Sequence, residues 1–301
     1  MKRIIITGAT GMIGANLARL AIERGDSVLC IVRPDSKKQD NLPKHKNLTV
    51  AYSDISDYAN VRIDGSFDCF YHFAWEKTFG SSRDDVDSQL LNVQYTMDAV
   101  RLAKRAGCSA FVGAGSQAEY GPVQCKLRGD TLVDPLSGYG IAKYTAGKLS
   151  ALLCAQLGIR HNWARILSVY GALDNPYTLI MYVMSELAAG RSPSLTKCEQ
   201  TWDYLNERDA AIAFYAIGEK GVDRKTYVLG SGDGKPLRAY IETIRDIVNP
   251  SVSLGFGKKE YYPNQPMYLV ADIAELTRDT GWKPEVDFSI GIRDIASLVR
   301  I

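Results

Sequence analysis

Residues 4–14 read IIITGATGMIG, and this stretch decides the fold. Ile4, Ile5 and Ile6 form a short β-branched apolar run, the composition of a strand buried on both faces of a parallel sheet. Gly8, Gly11 and Gly14 follow at three-residue spacing, and Ile13, Leu17, Leu20 and Ala21 then recur at helical spacing. A strand that feeds a helix through a glycine-rich turn aims backbone N–H groups and the positive helix end at an anion. Each glycine has its own use: a tight turn, close approach of a pyrophosphate, and close helix–strand packing. An ordinary strand–turn–helix can carry the same triplet. Set between a strand and a helix at the head of the chain, it reads as a dinucleotide site.

The chain has 301 residues, 46% hydrophobic and 23% charged, enough for one large or two modest domains with a substantial core. A formal net charge of +2 gives no reason to expect a nucleic-acid or membrane-surface partner. No apolar run approaches the roughly 20 residues that span a bilayer. With a strand starting at residue 3 or 4, no signal peptide is expected. Cys30, Cys69, Cys108, Cys125, Cys154 and Cys198 are dispersed, with no CxxC and no metal-like pairing with the three histidines. Free thiols in a reducing cytoplasm, and no metal, are the expectation.

The first half alternates strand and helix. Strands are expected at 27–32, 47–51, 67–73, 110–114 and 161–166, with helices over about 87–106 and 138–157, closed by Gly107 and Gly158. This pattern predicts an α/β fold: a doubly wound parallel sheet of the Rossmann type, with its ligand at the carboxyl edge of the strands. After Gly171 the pattern changes. Residues 172–198 look helical up to Gly190, WDYLNERDAAIAFYAI at 202–217 reads as another helix, and 226–229 as a short strand. The expected division is a dinucleotide-binding domain over 1–170, taking back about 200–230, and a smaller interleaved α/β substrate lobe over 171–301.

Three segments carry chemistry. In Tyr139-Gly-Ile-Ala-Lys143 the phenol and the ammonium lie four residues apart, on one helix face. A free phenol has a pKa of about 10, so at neutral pH it needs help to act as an acid or base. A neighbouring ammonium, or a cationic nicotinamide, favours the phenolate. Such a pair also occurs by chance on helix surfaces; behind a dinucleotide fold it reads as catalytic. Gly113-Ala-Gly-Ser-Gln-Ala-Glu-Tyr-Gly121 stands at the carboxyl end of the fifth strand, where Ser116 can hydrogen-bond a substrate oxygen shared with Tyr139. Arg165-Ile-Leu-Ser-Val-Tyr-Gly171 ends the sixth.

With these motifs the chain resembles the extended short-chain dehydrogenase/reductase family of nucleotide-sugar epimerases, dehydratases and 4-keto reductases. The likeness runs nearly end to end: TGATGMIG, HFA at 72–74, Asn92-Val93, SQAEYG, YGIAK, RILSVYG, WDYLNERDAA and GWKP at 281–284. The resemblance implies Ser116, Tyr139 and Lys143 as the catalytic set. It places cofactor contacts on Gly8, Thr10, Gly11, Met12, Ile13 and Gly14, on Asp54 and Ile55 beside the adenine, and on Phe73, Ala74 and Lys77 over the ribose and phosphates. Asn92, and Ile166 near the nicotinamide, complete that set. Ser116, Gln117, Ser168 and Arg208 are the substrate-contact candidates. A homodimer is the family's habit.

Departures from the family narrow the reaction. The dehydratases carry an acid–acid or polar–Glu pair directly after the catalytic hydroxyl, where this chain has Gln117-Ala118 and a Glu119 shifted by one. Epimerases of the uridine-diphosphate-galactose type carry Asn where Ser168 stands, and an arginine that grips the diphosphate where Trp202 stands. Arg191, Lys197 or Arg208 could take over that grip. The xEYG and RxxSVYG forms look most like reductases of a nucleotide-linked 4-keto-6-deoxy sugar, with a 4-epimerase holding NAD as the alternative and a cofactor-binding scaffold a distant third. The second strand ends in Arg33, with no acid before Asp35. Enzymes selecting the unphosphorylated dinucleotide place a carboxylate there, whereas a guanidinium can pair with a 2′-phosphate. With Lys37 and Lys38 nearby, NADP(H) is the expected cofactor and NAD(H) the other possibility; an Arg33 stacked on the adenine, or an Asp35 folded back to the ribose, would weaken this inference.

Overall fold

The computed structural model describes residues 1–262 and 265–298. Its first half is built from β1 (Arg3–Thr7), α1 (Met12–Glu23), β2 (Ser27–Val32), β3 (Leu48–Tyr52), β4 (Cys69–His72), α2 (Val86–Arg105), β5 (Ala110–Ser116), α3 (Gly138–Leu157) and β6 (Arg160–Ile166). The second half adds β7 (Ser168–Tyr170), α4 (Leu179–Ala188), β8 (Thr201–Trp202), β9 (Tyr204–Asn206), α5 (Glu207–Lys220) and β10 (Lys225–Leu229). It ends with β11 (Lys235–Pro236), α6 (Leu237–Val248), β12 (Tyr268–Leu269), α7 (Ala274–Thr280) and α8 (Phe288–Leu298).

Seven strands form one parallel sheet in the order β10-β6-β5-β4-β1-β2-β3. Alternate residues of β1 enter different cores, as the two-residue period of a strand requires. Ile4 and Ile6 pack with Leu17, Ala21 and Phe214 on one face, and Ile5 with Phe70, Val100 and Phe111 on the other. Helices α1 and α5 pair on the first face, α2 and α3 on the second. The register aligns Thr7 with His72, Ser116 with Ile166, and Ile166 with Leu229. The carboxyl edge of the sheet therefore gathers residues from five strands, and the order of strands reverses beside β1.

The remaining elements form a second cluster around Val183, Met184, Leu187, Leu237, Ile241, Ile244, Ile292 and Ile295. Two departures from the expected elements lie here. Residues 202–206 are strands rather than the start of a helix. Asp203, fully buried, fixes them by accepting hydrogen bonds from the backbone N–H groups of Ser231, Gly232 and Ala271 at 2.6–3.0 Å. The helix begins only after Asn206, whose side chain caps it through the Arg208 N–H at 2.9 Å. In 172–198 the helix is confined to Leu179–Ala188; the preceding turn is held by Asp174, which accepts from the Asn175 N–H and the Thr178 hydroxyl.

Candidate active site

Two clefts meet at the carboxyl edge of the sheet. In the first, of about 790 Å³, the glycine turn forms one wall. Gly8 has a φ of +63°, and a Cβ there would meet the Ala74 nitrogen at 2.7 Å, so the turn lies directly against the Phe73–Ala74 backbone. A Cβ on Gly14 would meet the Gly8 carbonyl at 2.6 Å, which keeps α1 close under the turn. Gly11 caps α1 without a side-chain hydrogen bond, and the first turn, Met12, Ile13 and Gly14, contains no acid. That helix end, with Thr10 beside it, fits the pyrophosphate of a dinucleotide. Arg33, Lys37 and Lys38 line the rim and Ile55 the floor, opposite Phe73, Ala74 and Lys77. Arg33 is 56% exposed, and Asp35 approaches its Nε to 4.0 Å from the same wall.

Other expected contacts are placed differently. Asp54 does not border the cleft: its carboxylate caps the helical turn Ile55–Asp57 through the Ser56 N–H and hydroxyl. Asn92 is fully buried, and its carboxamide brackets the Glu76 backbone, accepting from the N–H at 2.9 Å and donating to the carbonyl at 3.1 Å. It shapes the cleft wall rather than offering a hydrogen bond to the cofactor. Ile166 is half-buried and packs on the core beneath the sheet edge. Lys77 has left-handed backbone (φ +54°) and pairs with Asp85 at 2.5 Å.

Tyr139 and Lys143 occupy the first turns of α3, which is capped by Ser137 through the Gly140 N–H. Lys143 is buried; its Nζ donates to the Ala114 carbonyl at 2.7 Å and lies 3.8 Å from the Trp75 ring centroid and 5.8 Å from that of Tyr139. Burial lowers its pKa to about 7, with the Glu119 carboxylate opposing the shift. Burial also raises the Tyr139 phenol above its ordinary value; a hydrogen bond from Ser116 and the charge of Arg83 oppose it, while Glu119 adds to it. Ser116 and Arg83 thus favour the phenolate in this structure, while the Lys143 ammonium donates to Ala114.

Glu119, to which the sequence assigns no role, organises this end of β5. Fully buried, it accepts from the Ser116 N–H at 2.8 Å, the Trp163 indole at 2.9 Å and the Arg165 Nε at 2.7 Å. It is the anchor of Ser116. The available signal lay in β5, where Gly113 and Gly115 leave space for the Trp163 ring: a Cβ on either would come within 2.4 Å of it. Gln117, half-buried in the turn Gln117–Glu119, follows from the same anchoring and does not border the substrate cavity.

That second cavity, about 730 Å³, lies between the sheet edge and the second cluster. Ser168 and Trp202 share a wall, the indole donating to the Ser168 hydroxyl at 2.8 Å. Tyr177, Tyr182 and Tyr204 continue it. Among the described residues Lys259 is the one cation on its lining and Asp174 the one carboxylate. Gln200, 4% exposed, brings into the wall a carboxamide oxygen with no protein partner. Arg208 is elsewhere: it pairs with Asp294 at 3.1 Å and borders a separate groove with Asn16 and Arg19, because α5 turns that position away from the cavity. Arg191 pairs with Glu186 at 2.6 Å, and neither it nor Lys197 reaches the lining.

A doubly wound sheet with a glycine turn under a helix end, and a Ser–Tyr–Lys group beside it, defines the short-chain class of dinucleotide-dependent enzymes. Over residues 4–230 the chain matches the NAD dependent epimerase/dehydratase family, and it belongs to that family. Among its relatives, a UDP-glucose 4-epimerase of Corynebacterium glutamicum is 23% identical, the match covering 94% of this chain and 91% of the relative. A dTDP-4-dehydro-6-deoxyglucose reductase of Escherichia coli is 22% identical over 99% of this chain and 97% of its own. The solved UDP-N-acetylglucosamine 4-epimerase of Methanobrevibacter ruminantium superposes with a TM-score of 0.90 at 20% identity, covering 100% of this chain and 99% of that one.

Proposed function

We propose that the protein is an NADPH-dependent reductase that converts a nucleotide-activated 4-keto-6-deoxyhexose to its 4-hydroxy sugar. The observation that carries this reading is the cofactor rim, where Arg33 ends the second strand with Lys37 and Lys38 beside it and Asp35, the one carboxylate among them, lies 4.0 Å from the Arg33 Nε, leaving a net positive rim for a 2′-phosphate. An epimerase returns its dinucleotide unchanged and gains nothing from that selectivity, whereas a reductase consumes it. When bound, the reduced nicotinamide supplies the hydride. Tyr139 transfers its phenolic proton to the oxygen that becomes the 4-hydroxyl, and Ser116, held by Glu119, donates a hydrogen bond to that oxygen. In the second cavity Lys259 provides the cation for the diphosphate and Gln200 a polar contact for the nucleoside. Dehydration is disfavoured because Glu119, the carboxylate of the Gln117–Glu119 turn, is committed to Arg165 and Trp163.

The test is to incubate the purified protein with NADPH and 4-keto-6-deoxy sugars carried on thymidine, cytidine, guanosine and uridine diphosphates. Stoichiometric loss of reduced nicotinamide with one of them supports the reading. The superposition on a 4-epimerase favours a second reading, a 4-epimerase with tightly held NAD. Interconversion of hexose epimers without net cofactor consumption would establish that one instead. The outer faces of α2 and α3 expose Val86, Leu90, Ile141 and Leu152, each more than half exposed, and a homodimer through these faces belongs to the same proposal. Sedimentation at a monomer's mass at micromolar concentration would exclude it.

A further inference from the structure

The loop from Trp75 to Asp84 runs past both clefts: Trp75 to Thr78 line the cofactor cleft, Phe79 the substrate cavity, and Arg83 lies over the face of Tyr139. The Arg83 guanidinium carbon is 4.7 Å from the ring centroid, and its Nε is buried with no hydrogen-bond partner. A buried donor without an acceptor is unfavourable, and a flexible arginine would ordinarily turn to solvent. Here the loop is anchored so that it stays. Lys77 pairs with Asp85, Ser82 donates to the Phe79 carbonyl at 2.6 Å, and Asp84 accepts from the Gly138 N–H at 2.8 Å, immediately before Tyr139. The Arg83 carbonyl itself lies 3.1 Å from where a Gly138 Cβ would be, so the loop is docked on the first turn of α3.

We infer that Arg83 is a positioning residue for proton transfer: its fixed charge over the ring stabilises the Tyr139 phenolate. The inference rests on Tyr139 being the proton-transfer group of the proposed reaction. In the reductive direction the phenolic O–H bond breaks, the proton goes to the nascent alkoxide, and the phenolate left behind faces the guanidinium until water returns a proton. The other groups facing Tyr139 do not supply the same charge. Ser116 contributes a neutral hydrogen bond. Glu119 is negative but paired with Arg165, and the Asp84 carboxylate is engaged by the Gly138 N–H. Lys143, on the same helix, is farther away at 5.8 Å, and its burial brings its own deprotonation into the working pH range. A guanidinium stays charged throughout.

The experiment is an ultraviolet absorbance titration of tyrosinate in the folded protein, with the Tyr139→Phe curve subtracted to isolate Tyr139. Removing a charge at this distance should raise the Tyr139 midpoint in Arg83→Gln by about one pH unit, and Arg83→Lys should recover most of the shift. Arg83→Met, which keeps the aliphatic volume, serves if the glutamine variant does not fold. A folded Arg83→Gln or Arg83→Met protein with an unmoved midpoint overturns the inference, whatever its activity, since a merely structural loop residue would lower turnover without moving the titration. No sugar substrate enters this measurement. A shifted midpoint in a protein that reduces no sugar would establish the Arg83–Tyr139 charge coupling and remove the proposed function with the proton-transfer role built on it.

Discussion

The two clefts of this protein are lined by different chemistry. The cofactor cleft combines backbone and charge: a helix end behind Gly11, backbone packed against Gly8, and a rim of Arg33, Lys37 and Lys38. The second cavity has a mixed wall of aromatic, aliphatic and polar side chains, with Trp202 tied to Ser168, and one cation, Lys259, among its described lining residues. Backbone groups and a helix end cost nothing to organise once the helix has formed. A wall of apolar and aromatic side chains grips mainly by area and shape, with the Lys259 ammonium held 5.0 Å from the Tyr182 ring centroid. On the proposed reading, the difference teaches that cofactor choice rests on electrostatics at fixed points and substrate choice on packing.

Four substitutions break or sharpen this contrast. Tyr139→Phe should lower turnover by about 10²–10⁴-fold and leave binding in both clefts nearly intact. Steady-state rates beside cofactor and nucleotide titrations check it, and near wild-type turnover would exclude Tyr139 as proton donor. Glu119→Gln should destabilise the whole protein by about 3–5 kcal/mol, since it leaves the buried Arg165 guanidinium without its counter-charge. Denaturant midpoints measure this, and a loss below about 1 kcal/mol would mean that the pair contributes little.

Arg33→Ala should weaken NADPH binding by roughly one to two orders of magnitude and leave NADH binding little changed, the value of a charge-assisted contact to the 2′-phosphate. Equal losses for both dinucleotides would show that Arg33 stacks rather than pairs. Lys259→Gln should weaken binding of a nucleoside diphosphate by about fivefold, the smallest effect, because an exposed charge is screened by solvent. A hundredfold loss would reverse the comparison and make the substrate cavity the more electrostatic of the two.

How far the site could be read from the sequence follows from how local each signal is. The strand, glycine turn and helix over residues 3–23 declare themselves through a change of period within about twenty residues. Tyr139 and Lys143 do so through their spacing, and α3 has the bounds that its pattern indicates. Glu119 was not legible: its partner Arg165 is 46 residues away, and only the sheet register brings β5 and β6 together. Arg83 lies in a loop without periodicity, so nothing local points it at Tyr139. Arg208 is a substrate candidate in the sequence because a cation is sought in place of the arginine absent at Trp202, and the direction in which α5 points its second residue is set only by the fold. The strands at 202–206 were missed because the apolar spacing of WDYLN runs into that of α5, and only the distant backbone N–H groups gathered by Asp203 separate them.

The position of β10 at the edge of the sheet has a consequence for how the chain is made. β6 is flanked by β5 on one side and by β10 on the other, and β10 is encoded only after β7, α4, β8, β9 and α5. While the ribosome is synthesising those elements, β6 presents an open row of backbone donors and acceptors, the kind of edge onto which another strand can add. A transcript truncated near Gly171 should therefore yield insoluble protein rather than a smaller dinucleotide-binding unit.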